Sequence, residues 1–220
     1  MRLHIFTSPG IEILPFNYQP ILTGAFHKWL GENELHGKPS LYSFSWLTGS
    51  RTTKSGLKFP NGAYFFISAH HEEVIKNIIS GIRQDPIVTR ELVVQEITIA
   101  EDLKINNITQ RTFQCASPIL VKRTVDDREI HYTFDDIKSD ELLTETLKNK
   151  LKEAGLSSDG IAVSFDRSYP HAKTKVAYYK NIGNKANMCP VTIKGTTDQI
   201  TFAWNVGVGN STGIGFGALK

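Results

Sequence analysis

The spacing of apolar residues changes along the chain, and each change marks an element. Leu3-His4-Ile5-Phe6-Thr7 predicts a first strand. Tyr18, Ile21, Leu22, Ala25, Phe26, Trp29 and Leu30 then recur at i, i+3, i+4 and i+7, which predicts a helix burying one face. Asn17 is placed to cap it, Pro20 is tolerated in its first turn, and Gly31 ends it. Strands are expected at 41–47 and 63–69. A second helix carries Val74, Ile75, Ile78, Ile79 and Ile82 on one face, with Gly81 weakening its end. A β-branched strand at 92–99 completes a βαββαβ order, the ferredoxin-like pattern.

A polar connection at 101–107 precedes a second half. Here 112–116 reads as a strand, and 120–124 with 129–134 reads as a hairpin around Asp126-Asp127. Leu143, Leu147, Leu151 and Ala154 mark a helix, with Lys148, Lys150 and Lys152 on its wet side. Strands are expected at 161–165, 175–182 and 191–194. The stretch 199–206 is ambiguous. Its Thr, Ile, Phe and Trp content favours a strand. Yet Ile200, Ala203, Trp204 and Gly207 fit a helical face that Thr197 could cap.

The chain has 220 residues, 40% of them hydrophobic, which suits one large domain or two small ones with a sizeable core. A formal net charge of +3 gives no global basic field, so a nucleic-acid site must come from local clusters of Lys and Arg. Cys115 and Cys189 are far apart and suggest neither a metal pair nor a disulfide framework, which favours a reducing compartment. No secretory leader or membrane span is visible, so a soluble cytoplasmic protein is expected.

Near the C-terminus, Gly207, Gly209, Gly213, Gly215 and Gly217 fall within eleven positions. Such a run lets something approach the backbone closely, and successive bare N–H groups can cradle a phosphate. No Gly-Lys-Ser/Thr follows, and no strand–helix unit follows, so this is neither a Walker motif nor a dinucleotide fingerprint. On local chemistry alone, a tight turn before a last strand is the competing reading.

The spacing Gly207-x-Gly209-(x)5-Gly215-Phe216-Gly217 resembles the glycine-rich loop of the RAMP superfamily. In particular it resembles the CRISPR-associated endoribonuclease that cuts precursor CRISPR RNA. Leu14-Pro15-Phe16-Asn17-Tyr18-Gln19, Leu41-Tyr42-Ser43-Phe44-Ser45 and Ala116-Ser117-Pro118-Ile119-Leu120-Val121 are similar to that family's segments in order and spacing. The resemblance covers nearly the whole chain. It implies an α+β protein of two tandem ferredoxin-like (RRM-like) domains, here 1–100 and 108–220, and makes 199–206 a helix leading into the glycine loop. It also implies metal-independent cleavage of repeat RNA, leaving a 2′,3′-cyclic phosphate and a 5′-hydroxyl. No cofactor and no metal are expected.

Such cleavage needs a base for the 2′-hydroxyl, an acid for the leaving 5′-oxygen and a cation near the phosphorane. Histidine suits both proton roles near neutral pH. His27 projects opposite the apolar stripe of the first helix, so it is not a packed core residue. The resemblance implies an active-site residue there. His36, in Glu34-Leu35-His36-Gly37-Lys38, matches the family's loop histidine, and Lys38 is the implied cation, with Lys28 as its substitute. His4, His131 and the pair His70-His71 carry no ligand-set spacing and read as structural. RNA is expected to meet Arg51 and Lys54 in a flexible loop, Lys122 and Arg123, and Lys173 and Lys175 with Tyr178 and Tyr179 nearby. Gly207, Gly209, Gly213, Gly215 and Gly217 would meet phosphates through backbone N–H groups, with Ser211 and Thr212 as hydroxyl donors. Three readings stay open: the ribonuclease, a non-catalytic RNA-binding subunit of an effector complex, and a small-ligand regulatory module. Other effector subunits and a homodimer are open as partners; a membrane is not expected.

Overall fold

The computed structural model describes residues 1–31, 38–100, 103 and 108–220. The first half runs β1 (Arg2–Thr7), β2 (Gly10–Leu14), α1 (Gln19–Leu30), β3 (Tyr42–Phe44), β4 (Arg51–Thr52), β5 (Leu57–Phe59), β6 (Tyr64–Ala69), α2 (Glu72–Gln84) and β7 (Val94–Ala100). The second runs β8 (Gln110–Phe113), β9 (Lys122–Val125), β10 (Arg128–His131), α3 (Lys138–Glu153), β11 (Ala162–Phe165), β12 (Lys173–Tyr179), β13 (Ile182–Met188), β14 (Val191–Lys194) and α4 (Thr197–Val206). A short 3₁₀ turn, Thr212–Ile214, follows.

The two halves repeat one topology. The first builds an antiparallel sheet in the order β3-β6-β1-β7. The second builds β11-β14-β8, and Leu219 bridges Cys115 in the continuation of β8 as a vestigial fourth strand. Both are ferredoxin-like sheets, so the chain is an α+β protein of two such units in tandem. The second unit carries two inserted hairpins, β9–β10 and β12–β13.

Each half has its own core. Leu3, Ile5, Phe26, Trp29, Phe44, Phe65 and Ile78 are buried together in the first, and Leu143, Leu147, Leu151, Val191, Ile193 and Ile200 in the second. Gly81 does more than weaken a helix end. A Cβ there would lie against the carbonyl oxygen of Trp29, so glycine is what lets α2 close on α1. The indole of Trp29 then reaches across to donate to Asp85 O at 2.6 Å. Among the described residues no helix is long and apolar enough to cross a membrane.

Several expected details differ. The cap position of α1 is Tyr18, not Asn17, and makes no side-chain cap bond. The ambiguous stretch is helical, and Thr196 rather than Thr197 caps it, in a reciprocal capping box with Gln199. The stretch 175–182 is not one strand. The chain reverses at Lys180 and Asn181, with φ of 47° and 66°, to form the β12–β13 hairpin. Residues 51–56 are not a flexible loop. Arg51 lies on β4, and Thr53 N donates to Gly56 O at 2.8 Å in the turn to β5.

Arg2 joins the halves. It is 4% exposed. Its guanidinium lies 3.7 Å from the Phe66 ring centroid and 3.5 Å from that of Trp204. It donates to Ser68 Oγ at 2.6 Å, Leu219 O at 2.9 Å and Trp204 O at 3.1 Å. A planar cation that lies against two rings and donates to three acceptors at once is a task for arginine rather than lysine.

Candidate functional site

The glycine-rich loop leaves α4 at Gly207 and sits against both halves. Its glycines are dictated first by contacts within the protein. Gly207, Gly209, Gly215 and Gly217 have φ between 66° and 86°. A Cβ on Gly215 would overlap Gln19 Nε2, and one on Gly217 would overlap Val208 O. Gly213 packs on Ser40 Oγ. The N–H groups of Gly207, Gly215 and Gly217 donate to Ala203 O, Thr212 O and Pro118 O at 2.9, 3.2 and 2.8 Å. Those three donors are engaged inside the protein. Asn210 and Ser211 are half-exposed; Asn210 Oδ1 accepts from Lys122 N at 2.9 Å, and Ser211 has φ 61°.

Helix α1 presents a polar stripe to this loop. Gln19 Nε2 donates to Ile214 O and Gly215 O at 2.9 and 3.0 Å, and Thr23 Oγ1 donates to Ile214 O at 3.4 Å. His27 is the next residue at i+4 on the same face. It is half-buried, with its ring edge-on to Phe26 at 5.3 Å. The side expected to be open solvent is therefore the side that meets the glycine loop. Gln19 and Thr23 were the missing signal: polar residues at i, i+4 and i+8 on an otherwise apolar helix.

The segment after the expected histidine loop arrives at the same place. Lys38 is exposed, and two residues later Ser40 lies against Gly213. Thr212 Oγ1 donates to Ser40 O at 3.5 Å. His36 lies outside the described residues. Lys28 is drawn away from this cluster. Its ammonium is 2.8 Å from Asp85 Oδ2 and donates to Ile87 O at 2.7 Å. The Lys28 hydrogen bond, with help from the Ile87 N–H, holds the Asp85 carboxyl below its usual range.

The expected RNA-binding cations fall into two groups. Lys122 pairs with Glu129 at 2.6 Å and Arg123 with Glu145 at 2.9 Å, so both carry acidic partners. Lys173 and Lys175 are exposed on β12, and Arg51 and Lys54 are exposed on the first half. Lys175 Nζ lies 4.5 Å above the Trp46 ring, and burial together with Lys173 lowers its pKa. Trp46 Nε1 in turn donates to Gly215 O at 2.9 Å. A groove of about 570 Å³ runs between these parts, lined by Asn17, Tyr18, Trp46, Lys175 and Tyr178 among others. Trp46 sat inside the predicted strand at 41–47, and nothing in its spacing marks it as the link between hairpin and glycine loop. Tyr64 and His4 meet at 2.6 Å on the first sheet. His70 packs on Phe202 at 4.9 Å.

Lys150 is the clearest departure from expectation. It is not on the wet side of α3 but 4% exposed. Its ammonium donates to Thr212 Oγ1 at 2.8 Å, Val206 O at 3.0 Å and Gly207 O at 3.3 Å. Burial lowers its pKa to about 7.

Tandem ferredoxin-like units closed by a C-terminal glycine-rich loop define a RAMP-type protein. The profile described as CRISPR associated protein Cas6, C-terminal, matches residues 101–220. The chain belongs to the Cas6 family. It is 25% identical over 237 aligned residues to the CRISPR-associated endoribonuclease Cas6 1 of Methanocaldococcus jannaschii, covering 100% of this chain and 92% of that protein. A solved structure of a Cas6-related gene product from Pyrococcus furiosus superposes with a TM-score of 0.84 at 21% identity, covering 100% of this chain and 97% of the other. One described as a RAMP protein binding different RNA substrates gives 0.83 at 19% identity, with 100% and 98% covered.

Proposed function

We propose that this Cas6-family endoribonuclease cleaves the repeat segments of precursor CRISPR RNA by attack of the RNA's own 2′-hydroxyl, without a metal. The observation that carries the reading is the convergence on one loop: Gln19 and Thr23, on the same face of α1 as His27, and Ser40, two residues after Lys38, all meet the glycine-rich turn. The Methanocaldococcus relative, named as an endoribonuclease, and the RAMP relative, named for RNA binding, support the substrate class.

In the step itself, O2′ loses its proton to one imidazole and forms a bond to phosphorus. The P–O5′ bond breaks, and O5′ takes a proton from the other imidazole. The products are a 2′,3′-cyclic phosphate and a 5′-hydroxyl. His27 is one of the two groups and His36 the other. Lys38 is the cation at the phosphorane. The groove under the β12–β13 hairpin is the path for the flanking strand, with Lys173 and Lys175 on phosphates and Trp46 and Tyr178 offering faces to bases. Arg51 and Lys54 extend that path on the first half.

His27→Ala should slow single-turnover cleavage of repeat RNA by roughly 10²-fold or more while leaving affinity nearly unchanged, because proton transfer is lost and phosphate contacts are kept. RNA lacking the 2′-hydroxyl at the cleaved nucleotide should bind and stay intact. A His27→Ala protein that cuts at the wild-type rate would move the active site elsewhere. A wild-type protein that binds repeat RNA and never cuts it would favour a non-catalytic subunit.

A further inference from the structure

A polar cleft of about 350 Å³ opens beside the glycine-rich loop, between α3, β9 and residues 39–40. We propose that it is a subsite for one phosphodiester of the bound RNA, with Arg123 at the rim and Lys150 at the floor. This rests on the RNA-cleaving reading above.

The first support is an uncompensated charge. All three acceptors of the Lys150 ammonium are neutral: two carbonyls and a hydroxyl. A buried ammonium that is hydrogen-bonded but lacks a counter-ion favours an anion nearby. Around it the charged side chains lining the cleft are Arg123, from β9, and Glu145, from α3. These two pair with each other at 2.9 Å. From α4, the glycine loop and residues 39–40 come carbonyls, hydroxyls and the Asn210 amide, and no charged side chain among the described lining residues.

The lining chemistry is the second support. Ser211 is a hydroxyl donor and Asn149 an amide donor; the Arg123 guanidinium is fixed at the rim by donating to Lys122 O at 2.8 Å, Leu142 O at 3.1 Å and Thr146 Oγ1 at 3.2 Å, and Glu145 is its one charged partner. No described lining residue is aromatic, so the cleft offers no face for a base and suits a phosphate instead. It is also continuous with Gly209–Thr212, the part of the loop that carries half-exposed Asn210 and Ser211. A phosphate entering here competes with Glu145 for Arg123 and supplies the charge that Lys150 lacks. Burial alone brings the Lys150 pKa to about 7, so an arriving anion draws a proton onto it above neutral pH.

The test uses the full chain and a repeat RNA made uncleavable by a 2′-deoxy substitution. Lys150→Met should bind it about tenfold more weakly at pH 6.5, with the salt slope reduced by about one. Glu145→Gln should bind it several-fold more tightly, the opposite sign. Wild-type binding at pH 8 should take up a proton, read as a binding enthalpy that scales with buffer ionisation. Should Lys150→Met misfold, single methylphosphonate linkages in the RNA test the same contact on wild-type protein. One linkage should then lose about tenfold in affinity and the proton uptake together. Wild-type affinity and slope in a folded Lys150→Met, or no such linkage in the scan, would overturn the subsite. So would proton-coupled binding of inorganic phosphate alone without any linkage effect, which would mark a free-anion site. If wild-type protein does not bind repeat RNA at all, the ribonuclease reading falls with it.

Discussion

At the scale of single residues, Lys150 shows how a local pattern misleads. Leu143, Leu147 and Leu151 set the buried face of α3, and Lys148 and Lys152 stay on its outer side. Lys150 lies at the margin of that face, and its burial is decided by a glycine loop some sixty residues further on, which no window of α3 contains. The consequence is measurable. Its ordinary pKa is 10.5 and its folded pKa is about 7. Between these values the unfolded chain binds a proton that the folded chain does not, so the free energy of unfolding should rise with pH across that window. Below about pH 7 both states are protonated, and this slope disappears. Urea denaturation from pH 6.5 to 9.5 should show the rise in wild-type protein and its loss in Lys150→Met. An identical slope in both would mean that the ammonium is charged as folded throughout.

His27 was legible in the opposite sense. Periodicity alone put it off the apolar stripe. What it did not reveal is that the stripe opposite is itself a contact surface, because Gln19 and Thr23 find their acceptors nearly two hundred residues away.

Among the elements, the helices and the main strands could be read from spacing, since each buries one face in a local period. The hairpin around Asp126-Asp127 was read from its turn, whereas the β12–β13 hairpin and the small β2–β5–β4 sheet were harder. Lys180-Asn181 reverses the chain without a glycine at either position, so the run of β-formers around it looks continuous. The glycine loop is conspicuous, and its composition alone invites a phosphate. Its packing shows a prior demand. At Gly215 a Cβ meets Gln19 and, at 2.7 Å, Phe44 Cε2, with φ at 86°. Gly215→Ala should therefore cost about 2–3 kcal/mol of stability and loosen the loop from α1. Gly24 is the internal control. It sits in α1 with open space where its Cβ would be. Gly24→Ala should stabilise by about 0.5–1 kcal/mol. Thermal melts of the two variants should move in opposite directions. If Gly215→Ala melts with or above wild type, the loop is not the tightly fitted element described here.

For the whole molecule, one topology is repeated, and the proposed RNA path crosses from the β12–β13 hairpin to the first half. The halves need a fixed relation for that, and Arg2 supplies part of it through Phe66 and Ser68 on one side and Trp204 and Leu219 on the other. None of this was visible in the sequence, where Arg2 is a lone cation before an ordinary strand. Arg2→Ala strips donors from two buried carbonyls and removes a desolvated cation–π contact, so a loss of about 3 kcal/mol is expected in chemical denaturation. Arg2→Lys should recover only part of it, because a lysine cannot stack between two rings while reaching three acceptors. Full recovery by lysine would reduce the contact to simple charge.

In the proposed mechanism, imidazole chemistry beside the glycine loop, driven by the RNA's own hydroxyl, makes the cut. End analysis of the products tests it most directly. Wild-type protein incubated with labelled repeat RNA in excess EDTA should yield a 2′,3′-cyclic phosphate on the upstream fragment and a 5′-hydroxyl on the downstream one, with both strongly diminished in His27→Ala. Fragments ending in a 3′-hydroxyl, formed only when Mg²⁺ is supplied and still formed by His27→Ala, would contradict it.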